Sequence, residues 1–319
     1  MFQLEVFSLG NYNYKMILLK ILLLFVISCV FLRGIFYFEF IKNSIGSTLC
    51  GTFLGITIPY FLSSMIDLSD NKSWKNSQRK LKRAGLIHKD TKIRISFAYL
   101  FRIKVDGKYF LVQNVRTEKY QPVGGAYKLE PKEAQYLSEK IPVEDDDRIP
   151  IDTTTRGDYR LYVKNKDLRR FIRRFIKRFD KTPYRENINN LSREFIEELF
   201  TTNILDKDTF GDLTYKYCGR HITDVEYGDS FECYELLLAD IIEVRLTDKQ
   251  EELFRKLMEK TDNQYIFATF KEIKTGGVKH GTSDLKDNIA NHAPKILSEN
   301  SDILINKCRY KNVITINLT

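Results

Sequence analysis

Glu194, Glu197 and Glu198 are spaced i, i+3, i+4 within the segment LSREFIEELFT at 191–201. On an α-helix that spacing stacks three carboxylates along one side. Ile188, Leu191, Phe195 and Leu199 recur at the same period on another side and form a core-facing stripe. Carboxylates so placed repel one another by roughly 0.2–0.5 kcal/mol. A hard divalent cation such as Mg²⁺ or Mn²⁺ prefers oxygen ligands and turns that repulsion into attraction. The same residues also describe a solvated acidic face partly neutralised by Arg193. Spacing alone leaves both readings open.

The elements that must position this turn lie on both sides of it. Upstream, 93–105 is rich in β-branched and aromatic residues, Asp106-Gly107 is a strong hairpin signal, and 108–116 returns as a second strand. Gln121-Pro122-Val123-Gly124-Gly125-Ala126-Tyr127 follows as a glycine turn able to bring backbone close to a ligand. Arg116 and Lys119, just before it, are candidate phosphate contacts. A long stretch then intervenes, with an acidic run at 144–147 expected in a surface loop and a short strand at 159–163. A helix at 167–180 has Leu168, Phe171, Ile172, Phe175, Ile176 and Phe179 on one face and arginines and lysines on the other. That basic face reads first as solvated and second as a phosphate contact. Downstream, strands are expected at 213–218, 221–226, 230–238 and 264–273. Thr247 and Gln250 open a helix through Lys260 with a capping box. A last helix at 283–298 is expected to be interrupted at Pro294.

The chain has 319 residues, a net charge of +9 and five cysteines without paired metal spacing. That charge suits anionic partners and says nothing about fold. The cysteines read as reduced thiols. The histidines His88, His221, His280 and His292 are scattered, and each reads as a surface or core residue rather than a ligand. Tyr127, Tyr215 and Tyr217 read as core or strand tyrosines before base-stacking ones. No Ser/His/Asp set, P-loop or nucleic-acid motif is visible, so a DNA or RNA polymer is not an expected partner.

The first part of the chain reads as a two-helix membrane anchor over 1–68, with apolar stretches at 17–38 and 47–66. Val26-Ile27-Ser28-Cys29 also resembles a lipoprotein cleavage site, but the apolar run continues beyond it. Lys72, Lys75, Arg79, Lys80, Lys82 and Arg83 crowd the far side, which by the positive-inside rule sets both termini in the cytoplasm. A basic juxtamembrane helix and linker is expected at 69–91, closed by Gly85. Gly51 and Gly55 form a G-x-x-x-G pair through which the chain could self-associate as a homo-oligomer.

Arg193-Glu194-Phe195-Ile196-Glu197-Glu198-Leu199 resembles the second half of the Nudix box, R-E-U-x-E-E-x-G-U with U apolar. The order hairpin, glycine turn, glutamate helix matches the same family. The resemblance implies an α/β/α sandwich, an α+β Nudix-like domain over 92–319 with an insertion at about 130–185. It makes Glu194, Glu197 and Glu198 the metal ligands, Arg193 the residue that orients them, Gly124 and Gly125 ligand contacts, and Glu197 and Glu198 catalytic if the domain turns substrate over. The chain departs from the pattern in three ways. The stretch 126–192 separates the glycines from the helix, the upstream glutamate falls at Arg185 with Glu186 one step out of register, and Phe200 replaces the glycine after the glutamate pair.

Two apolar stretches before a divergent Nudix domain resemble the two-transmembrane Nudix effectors of bacterial cyclic-oligonucleotide anti-phage signalling. That resemblance implies a cyclic nucleotide ligand made by a partner nucleotidyltransferase, and spans that assemble to breach the inner membrane. The competing expectations are a membrane-anchored, Mg²⁺-dependent hydrolase of nucleoside diphosphate derivatives and a scaffold with an inactive domain.

Overall fold

The structure is a computed structural model describing residues 19, 22–27, 29–30, 33, 48, 51–52, 54–59, 61, 74–150, 155–177, 184–228, 231–278, 287–298 and 313–318. The chain divides into two compact units, Met1–Asn76 and Ser77–Thr319. In the first, the described parts of the two apolar stretches are helical at 22–27, 29–30 and 54–59. Among the described residues no helix is long and apolar enough to cross a membrane. A helical span needs about 20 consecutive apolar residues, and the described pieces are far shorter. The expected inner-membrane placement, with two spans and both termini cytoplasmic, is corrected accordingly. Much of 17–38 and 47–66 lies outside the described residues. A Cβ on Gly51 or Gly55 would meet nothing within 4 Å.

The second unit is built on two sheets. The larger holds β1 (Lys92–Arg102), β5 (Gly124–Ala126), β6 (Val143–Asp145), β7 (Arg160–Lys164), β8 (Leu213–Ile222), β9 (Glu226–Gly228), β10 (Cys233–Val244) and β12 (Val313–Ile316). The smaller holds β2 (Lys104–Val105), β3 (Lys108–Gln113), β4 (Tyr120–Gln121) and β11 (Tyr265–Thr269). The helices are α1 (Trp74–Arg83), α2 (Pro131–Lys140), α3 (Leu168–Lys177), α4 (Arg193–Phe195), α5 (Lys207–Phe210), α6 (Asp248–Met258), α7 (Phe270–Lys274) and α8 (Ala293–Leu297). This is a mixed α+β arrangement.

β1 is the spine. Its near-continuous burial is that of a strand covered on both faces. It runs parallel to β10 from Ile93 opposite Tyr234 to Arg102 opposite Glu243. Its other edge is shared: residues 92–96 pair with β7, and residues 98–100 pair with β5. Around Phe97 the two partners part, with the Phe97 N–H donating to Tyr159 O and the Tyr127 N–H donating to Phe97 O. The stretch expected as an insertion therefore supplies a strand of the main sheet. On the covered face α3 buries Leu168, Phe171, Ile172 and Phe175. The Phe175 ring stacks on Phe97 at 3.7 Å between centroids.

Several sequence expectations shift. Asp106 and Gly107 make the turn with φ of 47° and 79°, as a type I′ hairpin requires. The arm before the turn is only β2, because β1 is drawn into the other sheet by its parallel partner. The run expected as a surface loop at 144–147 begins as edge strand β6, and Asp146 is buried against Arg94 at 2.7 Å. The two strands expected at 213–226 are mostly one, β8. The expected strand at 264–273 stops at Thr269, which forms a capping box with Glu272 and starts α7. Pro294 does not interrupt a helix; it stands in the first turn of α8, where its missing N–H goes unused. The Thr247–Gln250 capping box opens α6 as expected.

Beneath the glycine turn lies a buried charged cluster. Asp240 of β10 is 0% exposed and takes two bonds from Arg220 of β8, Nε at 2.7 Å and Nη2 at 3.0 Å. Tyr127 and Tyr217 donate their hydroxyls to it at 2.7 and 3.1 Å, and Arg185 Nη2 approaches at 3.4 Å. The Arg185 guanidinium also lies over the Phe175 and Tyr127 rings at 3.8 and 3.9 Å. Burial works to raise the Asp240 carboxyl, and Arg220 with Arg185 more than offsets it, leaving it below its ordinary range. Asp240→Asn strands two buried guanidiniums, so it is expected to destabilise the chain by about 3–5 kcal/mol, read from urea unfolding at pH 7.

Candidate functional site

The glutamate segment begins as α4 and continues as a π-helical turn over Ile196–Phe200, in which the Thr201 N–H donates to Ile196 O at 3.0 Å. In an α-helix each residue advances about 100°, and the wider i→i+5 turn advances less. Three residues on, Glu197 is thereby rotated away from Glu194, whereas Glu198, four residues on, stays beneath it. Glu197 is 45% exposed, against 12% for Glu194. Phe200, in the place of the expected glycine, is buried against Phe195 and Phe210. That packing holds the widened turn.

The inward pair faces the two glycines. Gly124, at φ +130°, donates its N–H to Glu198 Oε2 at 2.7 Å, and a Cβ there would overlap the Tyr99 carbonyl oxygen. A Cβ on Gly125 would overlap the Glu194 carboxylate itself. One glycine is thus demanded by the backbone and the other by the site.

Arg193 ties this floor together. Its Nη2 donates to Ala126 O at 2.7 Å, and its Nη1 to Glu194 at 2.6 Å and Glu197 at 3.3 Å. Its Nε donates to Glu186 at 2.9 Å, and the other Glu186 oxygen takes the Lys128 N–H at 2.8 Å. Glu186, out of register in sequence, is therefore at the site in space. Burial works against the Arg193 charge, and Glu186 and Glu194 more than restore it. Burial pushes the Glu194 carboxyl up despite Arg193, and pushes Glu198 well up against the pull of the Gly124 N–H.

The floor opens into a cleft of about 900 Å³. Arg116, Arg160 and Lys295 line it, together with Asp158, His221 and His292. Of the two cations expected from sequence, Arg116 reaches the cleft. Lys119 does not line it and pairs with Asp287 at 3.0 Å. Arg160 and Lys295 carried no signal in sequence beyond their charge, and His221 and His292 read as isolated. Burial, with Lys295 adding to it, pushes His292 down to about 4, so it is neutral at pH 7. Tyr127, Tyr215 and Tyr217 are buried core residues.

Nudix domains generally use divalent metals. Among the described residues no three His, Cys, Asp or Glu side chains are grouped to hold a metal ion. All three glutamates of the expected trio line the cleft, with Glu197 the most exposed of them and paired with Arg193. Mg²⁺ is commonly held by one or two carboxylates with substrate phosphates completing the shell. Two half-buried carboxylates with raised pKa beside an open cleft fit that donor set.

The model of the SMODS-associated NUDIX domain family matches residues 92–297. The chain belongs to this family. No curated protein and no solved structure matches it. The SMODS association implies a cyclic-nucleotide signalling context.

Two outcomes follow for this Nudix site. Gly125→Ala is expected to leave the unfolding midpoint within a few degrees while displacing the Glu194 carboxylate and weakening Mn²⁺ binding. Gly124→Ala meets backbone and is expected to destabilise the fold by about 1–3 kcal/mol; thermal unfolding and calorimetry separate the two. For Glu198 the folded pKa lies above the unfolded one, so ionisation opposes folding as pH rises past about 4.5. Without divalent cation, Glu198→Gln should therefore be more stable than wild type at pH 7. The difference should shrink as pH falls towards 4.5 in unfolding measured across that range.

Proposed function

We propose that this SMODS-associated Nudix domain recognises a cyclic nucleotide or cyclic oligonucleotide second messenger, made by a partner nucleotidyltransferase, within a bacterial anti-phage defence system. The observation that carries the reading is the half-buried carboxylate pair Glu194 and Glu198, set against Gly124 and Gly125 in the lining of a cleft of about 900 Å³. A cleft near the upper end of the usual size for small-molecule sites, roughly 300–1,000 Å³, suits a guest larger than one mononucleotide.

Glu194 and Glu198 would hold a divalent cation, and Arg193 would fix the orientation of Glu194 through Nη1 and the register of the turn through Ala126 O. When bound, the cation supplies the positive charge that joins carboxylates to phosphate oxygens. The side-chain-free surface of Gly124 and Gly125 lets a phosphate come close to the backbone. Arg116 and Lys295 in the cleft wall bring positive charge to the anionic guest.

Binding without turnover is favoured by the exposure of Glu197, which lines the cleft but pairs with Arg193 and is far less enclosed than Glu194. A second reading, metal-dependent hydrolysis of a nucleoside diphosphate linkage, is favoured by the raised Glu198 carboxyl. A carboxylate whose pKa burial has raised is a better acceptor for a proton from an attacking water.

Calorimetry of the full chain with Mg²⁺ against cyclic di- and trinucleotides and linear dinucleoside diphosphates, with chromatography of the same mixtures, tests both readings. The expected result is saturable, Mg²⁺-dependent binding of a cyclic member with no product, weakened about 10- to 100-fold in Glu198→Gln. Rapid release of mononucleotide from a linear diphosphate would shift the conclusion to hydrolysis. Neither heat nor product from any compound would sink both.

A further inference from the structure

Arg160 is the first residue of β7, opposite Ser96 beside the point where β7 and β5 part on the edge of β1, and it lines the cleft. Its side chain is 22% exposed. A guanidinium carries five N–H donors in a planar fork. Among the described residues its one charged contact is Nη1 to Asp158 Oδ2 at 3.2 Å. That carboxylate is shared, since Lys128 Nζ takes its other oxygen at 2.6 Å. Arg160 is thus a largely desolvated cation with half a counter-charge and spare donors beside an open cavity.

Burial lowers its pKa, Asp158 counters this, and Arg94 and Arg116 add like charge from nearby. Glu194 acts on it from the floor with the opposite sign. Arg160 and Glu194 line the same cleft. Removing a charge from water is costly unless a partner replaces the lost solvation. A phosphate is such a partner, because its oxygens match the guanidinium fork in bidentate fashion.

We propose that Arg160 is a phosphate-gripping residue, which clamps the phosphate of the guest nucleotide while Glu194 and Glu198 would hold the same phosphate through a divalent cation. This assignment rests on the nucleotide-binding reading. It gives the segment at 130–185, which separates the glycine turn from the glutamates, a role in recognition rather than in spacing alone.

Inorganic pyrophosphate with Mg²⁺ is the probe, titrated into the full chain as wild type, Arg160→Ala, Arg160→Gln and Arg160→Lys, with thermal unfolding of each. The expected result is binding by wild type, weakened about 10- to 100-fold in Arg160→Ala and Arg160→Gln and largely recovered in Arg160→Lys, at unchanged unfolding midpoints. A merely structural arginine would not give recovery that follows charge. Arg160→Gln keeps a hydrogen bond to Asp158 and decides the matter if the alanine variant unfolds. Equal pyrophosphate affinity in wild type and the folded neutral variant overturns the assignment and leaves the nucleotide reading standing. Failure of all four proteins to bind pyrophosphate overturns the assignment too, and the cyclic-nucleotide titration then tells whether that reading falls with it.

Discussion

One buried carboxylate sets the geometry of this domain. Asp240 is bound by Arg220 from the neighbouring strand, by Tyr127 at the exit of the glycine turn and by Arg185. Arg185 bridges Leu129 in extended backbone, where successive side chains alternate in direction. With Arg185 drawn into the core, Glu186 is turned to the opposite side, and there it meets Arg193 and the Lys128 N–H. Three segments distant in sequence are thus referred to a single point. An ion cluster so deep gains little net free energy over apolar packing, because desolvation offsets attraction. Its contribution is to fix which arrangement is stable.

Above that point the cleft brings charges of both signs together. Glu194, Glu197 and Glu198 line it with Asp158, Glu226 and Glu235, and Arg116, Arg160 and Lys295 supply the cations. Arg193 neutralises the outer side of Glu194 and Glu197. Glu198 has a backbone N–H as its closest donor. The carboxylate least compensated by the protein is thus the one most in need of a cation, and Arg116, Arg160 and Lys295 in the lining suit the anion such a cation would bring with it. The widened helical turn leaves Glu197 the more exposed of the three, held by Arg193 in the lining of the cleft.

Much of this was legible in the sequence where the signal is local. The Asp106-Gly107 turn, the Thr247–Gln250 box, the amphipathic face of α3, the paired glycines and the acidic turn each depend on residues within a few positions of one another. The misses share a different cause. A π turn leaves the spacing of glutamates unchanged while altering their directions, so composition gives no sign of it. The partner of β1 lies far along the chain, as the Arg94–Glu235 pair 141 positions apart shows, so a strand read as half of a hairpin belongs to another sheet. Arg160, His221 and His292 are isolated in sequence and meet only through the path of the backbone. Hydropathy over 17–38 and 47–66 counts apolar residues without showing where a helix begins and ends.

The parallel pairing of β1 with β10 also bears on how the chain is made. During synthesis at about 5–20 residues per second, a separation of 141 positions means that β1 leaves the ribosome roughly 7 to 28 seconds before its mate. For that interval a largely buried strand can pair with β5 and β7 on one edge only, and its other edge waits for β10. The nascent domain therefore stays open until its last third emerges, and cellular chaperones have reason to hold it.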